Sequence, residues 1–136
     1  KMEAAKKSFF SAAAFAVVGA SANREKFGNK VLRALITTGK PVYPINPNSA
    51  EIEGQKAYPS LADLPESAKE SGIAVSFVSP PAVSLASFPA AASLPPRALW
   101  FQPGASSSEV VEEAGKLGVD VLHDGPCVLV ELNFQH

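Results

Sequence analysis

Cysteine is almost missing from this sequence: Cys127 stands alone, which excludes an internal disulfide framework and suits a reducing compartment. Long hydrophobic runs are missing as well. No apolar segment approaches the roughly 18 residues that a membrane-spanning helix needs, and the opening Met2-Glu3-Ala4-Ala5-Lys6-Lys7 lacks the apolar core of a secretory leader. Neither sign of charge prevails. Twelve basic against 13 acidic residues leave a net charge of −1, so no broad basic field exists to attract nucleic acid or an anionic membrane. Any anion site must be local. His123, Asp124 and Cys127 stand close together, but the only other histidine is the terminal His136, so the set of about four ligands that a structural metal site takes is not supported. These absences lead us to expect a soluble, cytoplasmic protein with no metal, no membrane and no nucleic acid among its partners, and with a small molecule as its ligand. They leave any protein partner open.

What is present suits one domain. A chain of 136 residues with 46% hydrophobic content can build a single core without covalent staples. We take residues 1–136 as one unit, in which residues 1–13 form a leading helix rich in alanine, with Phe9 and Phe10 to pack on the sheet. Residues 15–20 make the first strand. Val31, Leu32, Leu35 and Ile36 then recur at helical spacing between Phe27 and Thr38, and Gly39 stands where a helix end favours a left-handed residue. Residues 41–45 form a second strand, which Pro41 and Pro44 place near an edge or leave partly bulged. A brief extended piece over 54–58 precedes a helical turn at 60–64 that Pro65 stops. Ile73 to Val78 reads as the third strand. Val83 to Ser93 reads as helix, with a break at Pro89, because an interior proline costs about 3 kcal/mol. A strand over 98–101 leads to a helix started by a capping box of Ser106 and Glu109, and a last strand covers 119–123. Residues 127–132 are apolar and of open type.

Strands alternate with helices throughout, which predicts an α/β fold: a single Rossmann-like domain with a mostly parallel sheet and helices on both faces. The loops after Ala20, Ile45, Val78 and Phe101 then lie together at the carboxyl edge of the sheet, where open α/β folds bind ligands. The first of these carries the strongest signal. Phe15-Ala16-Val17-Val18-Gly19-Ala20-Ser21 is a buried-strand run ending in small residues before a helix, the arrangement that offers backbone amides and a helix N-terminus to a diphosphate. It departs from the G-x-G-x-x-G dinucleotide pattern, since the next glycine is Gly28. No carboxylate stands near Asn46 and Pro47 to hold the ribose hydroxyls of NAD, and no arginine stands there for NADP. Gln102 is a polar amide at the end of an apolar strand and is expected to face the same crevice.

In their order, Gly19-Ala20-Ser21, Pro44-Ile45-Asn46-Pro47, Gly54 with Tyr58-Pro59-Ser60-Leu61, and Trp100-Phe101-Gln102-Pro103-Gly104 with Glu109 resemble the small CoA-binding proteins. These are similar to the N-terminal domain of the succinyl-CoA synthetase α subunit. The resemblance runs from about Phe15 to Cys127 and implies coenzyme A, or an acyl-CoA, as a cofactor bound without catalysis. It implies a diphosphate at Gly19, Ala20 and Ser21, and adenosine near Asn46 and Pro47. Val78, Ser79 and Pro80 would line the path of the adenine or pantetheine, and Gln102, Pro103 and Gly104 would close the crevice at the pantetheine end. Relatives carry a lysine or arginine just after the Asn-Pro pair, where this chain has Asn48; Arg24, Lys26 and Lys30 are the candidates to supply that charge. Two alternatives remain: an enzyme, either an NAD(P)-dependent oxidoreductase or a reduced acyl-CoA ligase, and a regulatory or interaction protein with a vestigial pocket.

Overall fold

The computed structural model describes residues 2–135. Helix α1 (Met2–Phe10) leads into β1 (Ala14–Val18), followed by α2 (Phe27–Ile36) and β2 (Val42–Ile45). A hairpin of β3 (Glu51–Ile52) and β4 (Gln55–Lys56), a 3₁₀ turn (Leu61–Asp63) and α3 (Glu66–Glu70) precede β5 (Ile73–Phe77). Then come α4 (Pro81–Ser93), β6 (Ala98–Phe101), α5 (Ser108–Gly115), β7 (Asp120–Leu122) and α6 (Val128–Glu131). The five long strands form one parallel sheet in the order β2-β1-β5-β6-β7. The doubly covered α/β architecture expected from strand–helix alternation is therefore what the chain adopts.

Its central strands are buried along their whole length, because alternate residues enter two separate cores. Phe15, Val17, Ala74 and Trp100 face α1, α2 and α6, while Ala16, Val18, Val75, Phe77 and Phe101 face α3, α4 and α5. The first core is aromatic: Phe9 stacks on Phe15 at 5.2 Å and meets Trp100 edge-on at 5.1 Å, which is what docks α1 onto the sheet. β2 lies at one edge of the sheet. Pro44 turns its carbonyl outward to accept from the Tyr58 amide at 2.9 Å, so its missing N–H takes nothing from the ladder with β1.

Two local expectations need correction and two gain detail. The break at Pro89 does not occur, since α4 runs unbroken from Pro81 to Ser93. Pro89 is exposed, and the helix is held on either side of it by buried Phe88 and Ala91; Phe88 packs edge-on against Phe77 at 6.0 Å and Phe101 at 6.1 Å. Burial of that face outweighs the local cost of the proline. The cap of α5 lies one residue later than expected: Ser107, not Ser106, takes extended backbone and accepts from the Val110 amide. The extended piece at 54–58 is the second half of a hairpin whose turn places Glu53 and Gly54 at φ of 51° and 77°. Finally, the helical turn does end before Pro65 as expected, but Pro65 also serves as the N-cap of α3, where no helix was expected. No helix among the described residues is long and apolar enough to cross a membrane.

Candidate functional site

The carboxyl ends of β1, β2, β5 and β6 open onto two adjoining cavities. One, of about 440 Å³, is walled by Gly19, Ala20, Ser21, Lys26 and residues 46–48, with Pro59, Ser60, Val83 and Ser87 opposite. The other, of about 550 Å³, is walled by Phe27, Val78, Pro80, Pro103, Gly104 and Cys127. Gly19, on the wall of the first, abuts the backbone of Val78, on the wall of the second, and of Ser79. A Cβ on Gly19 would lie 2.8 Å from the Ser79 nitrogen and 3.1 Å from the Val78 carbonyl carbon, and its φ of +94° is one that side chains rarely adopt. Glycine is thus required twice over at this position.

Gly28 has an equally definite task. A Cβ there would fall 2.1 Å from the Gly19 carbonyl oxygen, so the first turn of α2 rests directly on the end of β1. In the dinucleotide pattern one glycine makes the tight turn and another lets the helix approach the strand. Here Gly19 and Gly28 divide the same labour across a longer loop, which is why a search for the standard spacing finds little.

That loop is held open by its own polar side chains. Ser21 Oγ accepts from the Asn23 amide at 3.1 Å, and Asn23 Oδ1 accepts from the Glu25 amide at 2.9 Å. Asn29, fully buried on α2, donates through Nδ2 to the Ser21 carbonyl at 2.9 Å and to Glu53 Oε2 at 3.0 Å, and accepts from Arg33 Nε at 2.6 Å. The Gly19 amide donates to the Ile45 carbonyl at 3.3 Å. Among the described residues, nothing accepts from the amides of Ala20, Ser21 and Ala22. The N-terminus of α2 beyond them has neither a side-chain cap nor an acidic residue in its first turn. Open amides and the uncapped helix N-terminus therefore lie together, with Ala20, Ser21 and Lys26 on the wall of the first cavity.

The expected site residues divide into three groups. Gly19, Ala20, Ser21, Lys26, Asn46 and Pro47 come together on the first cavity, and Val78, Pro80, Pro103 and Gly104 on the second. Asn46 acts on the loop itself, donating to the Ala20 carbonyl at 2.8 Å and accepting from the Asn48 amide at 2.7 Å. Other residues stand outside the walls. Arg24 pairs with Glu53 at 3.3 Å, Lys30 lies on α2 away from both cavities, and Ser79 is buried with its hydroxyl 3.1 Å from that of Ser84.

Gln102 departs furthest from expectation. It does not face the crevice: its side chain is wholly buried, donating to Ser76 Oγ at 3.1 Å and accepting from the Val128 amide at 2.9 Å. A buried amide without partners is costly, and these two partners satisfy it inside the protein. With Trp100 Nε1 donating to the Pro126 carbonyl at 3.0 Å, Gln102 fixes the segment that presents Cys127 to the second cavity.

Sequence reasoning missed Asn29, Glu53 and the α4 residues Val83 and Ser87. A signal existed for two of them. Asn29 is a polar residue inside an otherwise apolar helical stripe, and Val83, still 48% exposed, is a large apolar side chain left uncovered at the crevice. Among the described residues, no group of three or more histidine, cysteine, aspartate or glutamate side chains is placed to hold a metal ion.

Comparison with known proteins finds relatives of the whole fold. A conserved hypothetical protein from Pyrococcus furiosus shares 42% identity over 86% of this chain and 97% of its own, with a TM-score of 0.75. A hypothetical protein from Pyrococcus horikoshii superposes with a TM-score of 0.85 over 98% of this chain and 90% of its own, at 27% identity. The α subunit of the ADP-forming acetate–CoA ligase II of Pyrococcus furiosus is 40% identical over 58 residues, which is 42% of this chain but only 13% of that subunit. The family model described as a CoA binding domain matches residues 13–133, and on that match, which takes in every wall of the crevice, the chain belongs to the CoA-binding domain family.

Proposed function

We propose that the chain binds coenzyme A or an acyl-CoA in this crevice and performs no chemistry on it. The observation that carries this is the loop with the unoccupied amides of Ala20, Ser21 and Ala22 and the uncapped start of α2, whose Ala20, Ser21 and Lys26 wall the first cavity. Oriented amides and a helix dipole suit a diphosphate and give it a fixed position without a broad basic surface. The adenosine would lie in the first cavity against Asn46 and Pro47. The pantetheine arm would pass Val78 and Pro80 toward Pro103 and Gly104, along a second cavity whose lining is largely apolar. Neither set of walls includes a carboxylate or an imidazole to move a proton, which favours a binding role over catalysis. A cytoplasmic, reducing setting suits a wall that carries the free thiol of Cys127. The ligation named for the acetate–CoA ligase belongs to a subunit of which the match spans 13%, and it is not carried over.

Isothermal titration against CoA, dephospho-CoA, NAD and NADP tests the proposal. Saturable binding of CoA with none of the nicotinamide nucleotides is expected, and Gly19→Val should abolish it by driving a side chain into the Val78–Ser79 backbone. Binding of NAD or NADP in preference to CoA, or unchanged CoA affinity in the Gly19→Val protein, would refute it.

A further inference from the structure

We infer that Lys26 reads the 3′-phosphate of the ligand's ribose and so separates CoA from its dephosphorylated form. This rests on the proposed CoA site and adds to it the residue that sets ligand choice. CoA carries two distinct anionic groups, a diphosphate in the chain and a phosphomonoester on the ribose. The loop amides can hold the diphosphate without any side-chain cation. The phosphomonoester needs a cation of its own, since a phosphate dianion in a cleft is held chiefly by charge-assisted hydrogen bonds.

Position selects that cation. In open parallel sheets the ribose lies at the carboxyl end of the second strand, where a carboxylate suits free hydroxyls and a cation suits a ribose phosphate. In this chain that end is residues 45–48, without a carboxylate, and the Asn46 side chain is already engaged with the Ala20 carbonyl and the Asn48 amide. Lys26 reaches the same cavity from across the crevice, at the residue preceding α2, and shares its wall with Asn46, Pro47 and Asn48.

Of the other nearby cations, Lys30 lines neither cavity and the rest are committed elsewhere. Arg24 is paired with Glu53 at 3.3 Å, Arg33 is bound to Asn29 and to the Arg24 carbonyl, and Lys56 sits 5.3 Å over the Tyr58 ring. Glu53, the carboxylate that could have neutralised Lys26, is taken by Arg24 and Asn29. Lys26 itself forms no ion pair among the described residues and is exposed, so its ammonium is available to a ligand.

The test is calorimetric titration of CoA and dephospho-CoA into the wild type, Lys26→Met, Lys26→Arg and, as a charge-matched control on α1, Lys7→Met. Coincident thermal melts should show that the exposed substitutions leave the fold intact. The wild type is expected to prefer CoA by about tenfold or more, a ratio that shrinks as salt is raised. Lys26→Met should bring the ratio close to one by weakening CoA alone, while Lys26→Arg and Lys7→Met keep it. Equal wild-type affinity for the two ligands would overturn the inference and leave the CoA site standing. So would loss of both ligands alike in Lys26→Met, which would assign the lysine to the diphosphate. Wild-type protein that binds neither ligand would overturn the inference together with the site.

Discussion

Gly28→Ala sets two physical effects against each other, and the structure decides which wins. Gly28 lies in the first turn of α2 without a positive φ, so helix propensity alone favours alanine by about 1 kcal/mol. The added methyl would, however, stand 2.1 Å from the Gly19 carbonyl oxygen and 3.3 Å from the Ala20 Cα. The obstacle is backbone, fixed at the end of a strand paired on both sides, and it cannot swing away as a flexible side chain would. To restore ordinary contact the start of α2 must retreat by about 1 Å, against the packing of Val31, Leu32 and Leu35 in the core. Overpacking of this kind costs about 1–3 kcal/mol, and the immovable partner places this case at the upper end. The expected net result is destabilisation by about 2 kcal/mol, a Tm lower by about 5 °C or more, together with weaker CoA binding as the helix leaves the loop. Urea denaturation of both proteins measures the first and calorimetry the second. A Gly28→Ala protein as stable as the wild type, or more so, would show that the close approach of α2 to β1 is not a constraint on the fold.

Three further outcomes are expected. Ser107→Ala should lose about 1 kcal/mol by removing the acceptor for the Val110 amide, while Ser106→Ala should be near neutral; chemical denaturation of the two variants distinguishes the cap from its neighbour. Gln102→Leu strands the buried Val128 amide and Ser76 hydroxyl and should cost about 2 kcal/mol or more by the same assay, with proteolysis first cutting near residues 123–128. Lys6, which donates hydrogen bonds to the carboxylates of Glu131 and, secondarily, Glu3, has its pKa raised above the ordinary lysine value. The stability it adds by tying α1 to α6 is therefore fully present below that ordinary value and is lost as pH climbs through the raised one, so the gap in Tm between wild type and Lys6→Met should close in strongly alkaline buffer.

The sheet was legible because its strands are written as continuous apolar runs, and continuous runs bounded by turns are what a strand buried on both faces requires. Pro44 of β2 was legible for a related reason: an edge strand has one side on which a missing N–H is harmless. Pro89 misled because a propensity is a local cost, whereas α4 is held by Phe88, Ala91 and Leu94 against the sheet, and that burial is invisible in a window of neighbouring residues. The serine cap slipped by one residue because Ser106, Ser107 and Ser108 are chemically equal and only backbone geometry distinguishes them. Gln102 misled because sequence shows that an amide ends a strand but not that Ser76 and the Val128 amide await it beneath.

The charges near the first loop teach the sharpest lesson about reading a phosphate site from sequence. Arg24 looks like the natural phosphate ligand, being an arginine three residues past Ser21. Yet Glu53, almost thirty positions later in an unrelated hairpin, reaches the loop, takes the Arg24 guanidinium and accepts from Asn29. Asn29 in turn holds the Ser21 carbonyl, so the same carboxylate that quenches one cation helps shape the loop that presents the open amides. The hairpin turn that delivers it needs Glu53 at positive φ, a strained setting for a residue other than glycine. A charge placed at that strain beside an anion site makes sense if its task is to organise rather than to repel: it fixes Arg24 and Asn29 as scaffold and leaves the amides, with Lys26, to meet the ligand.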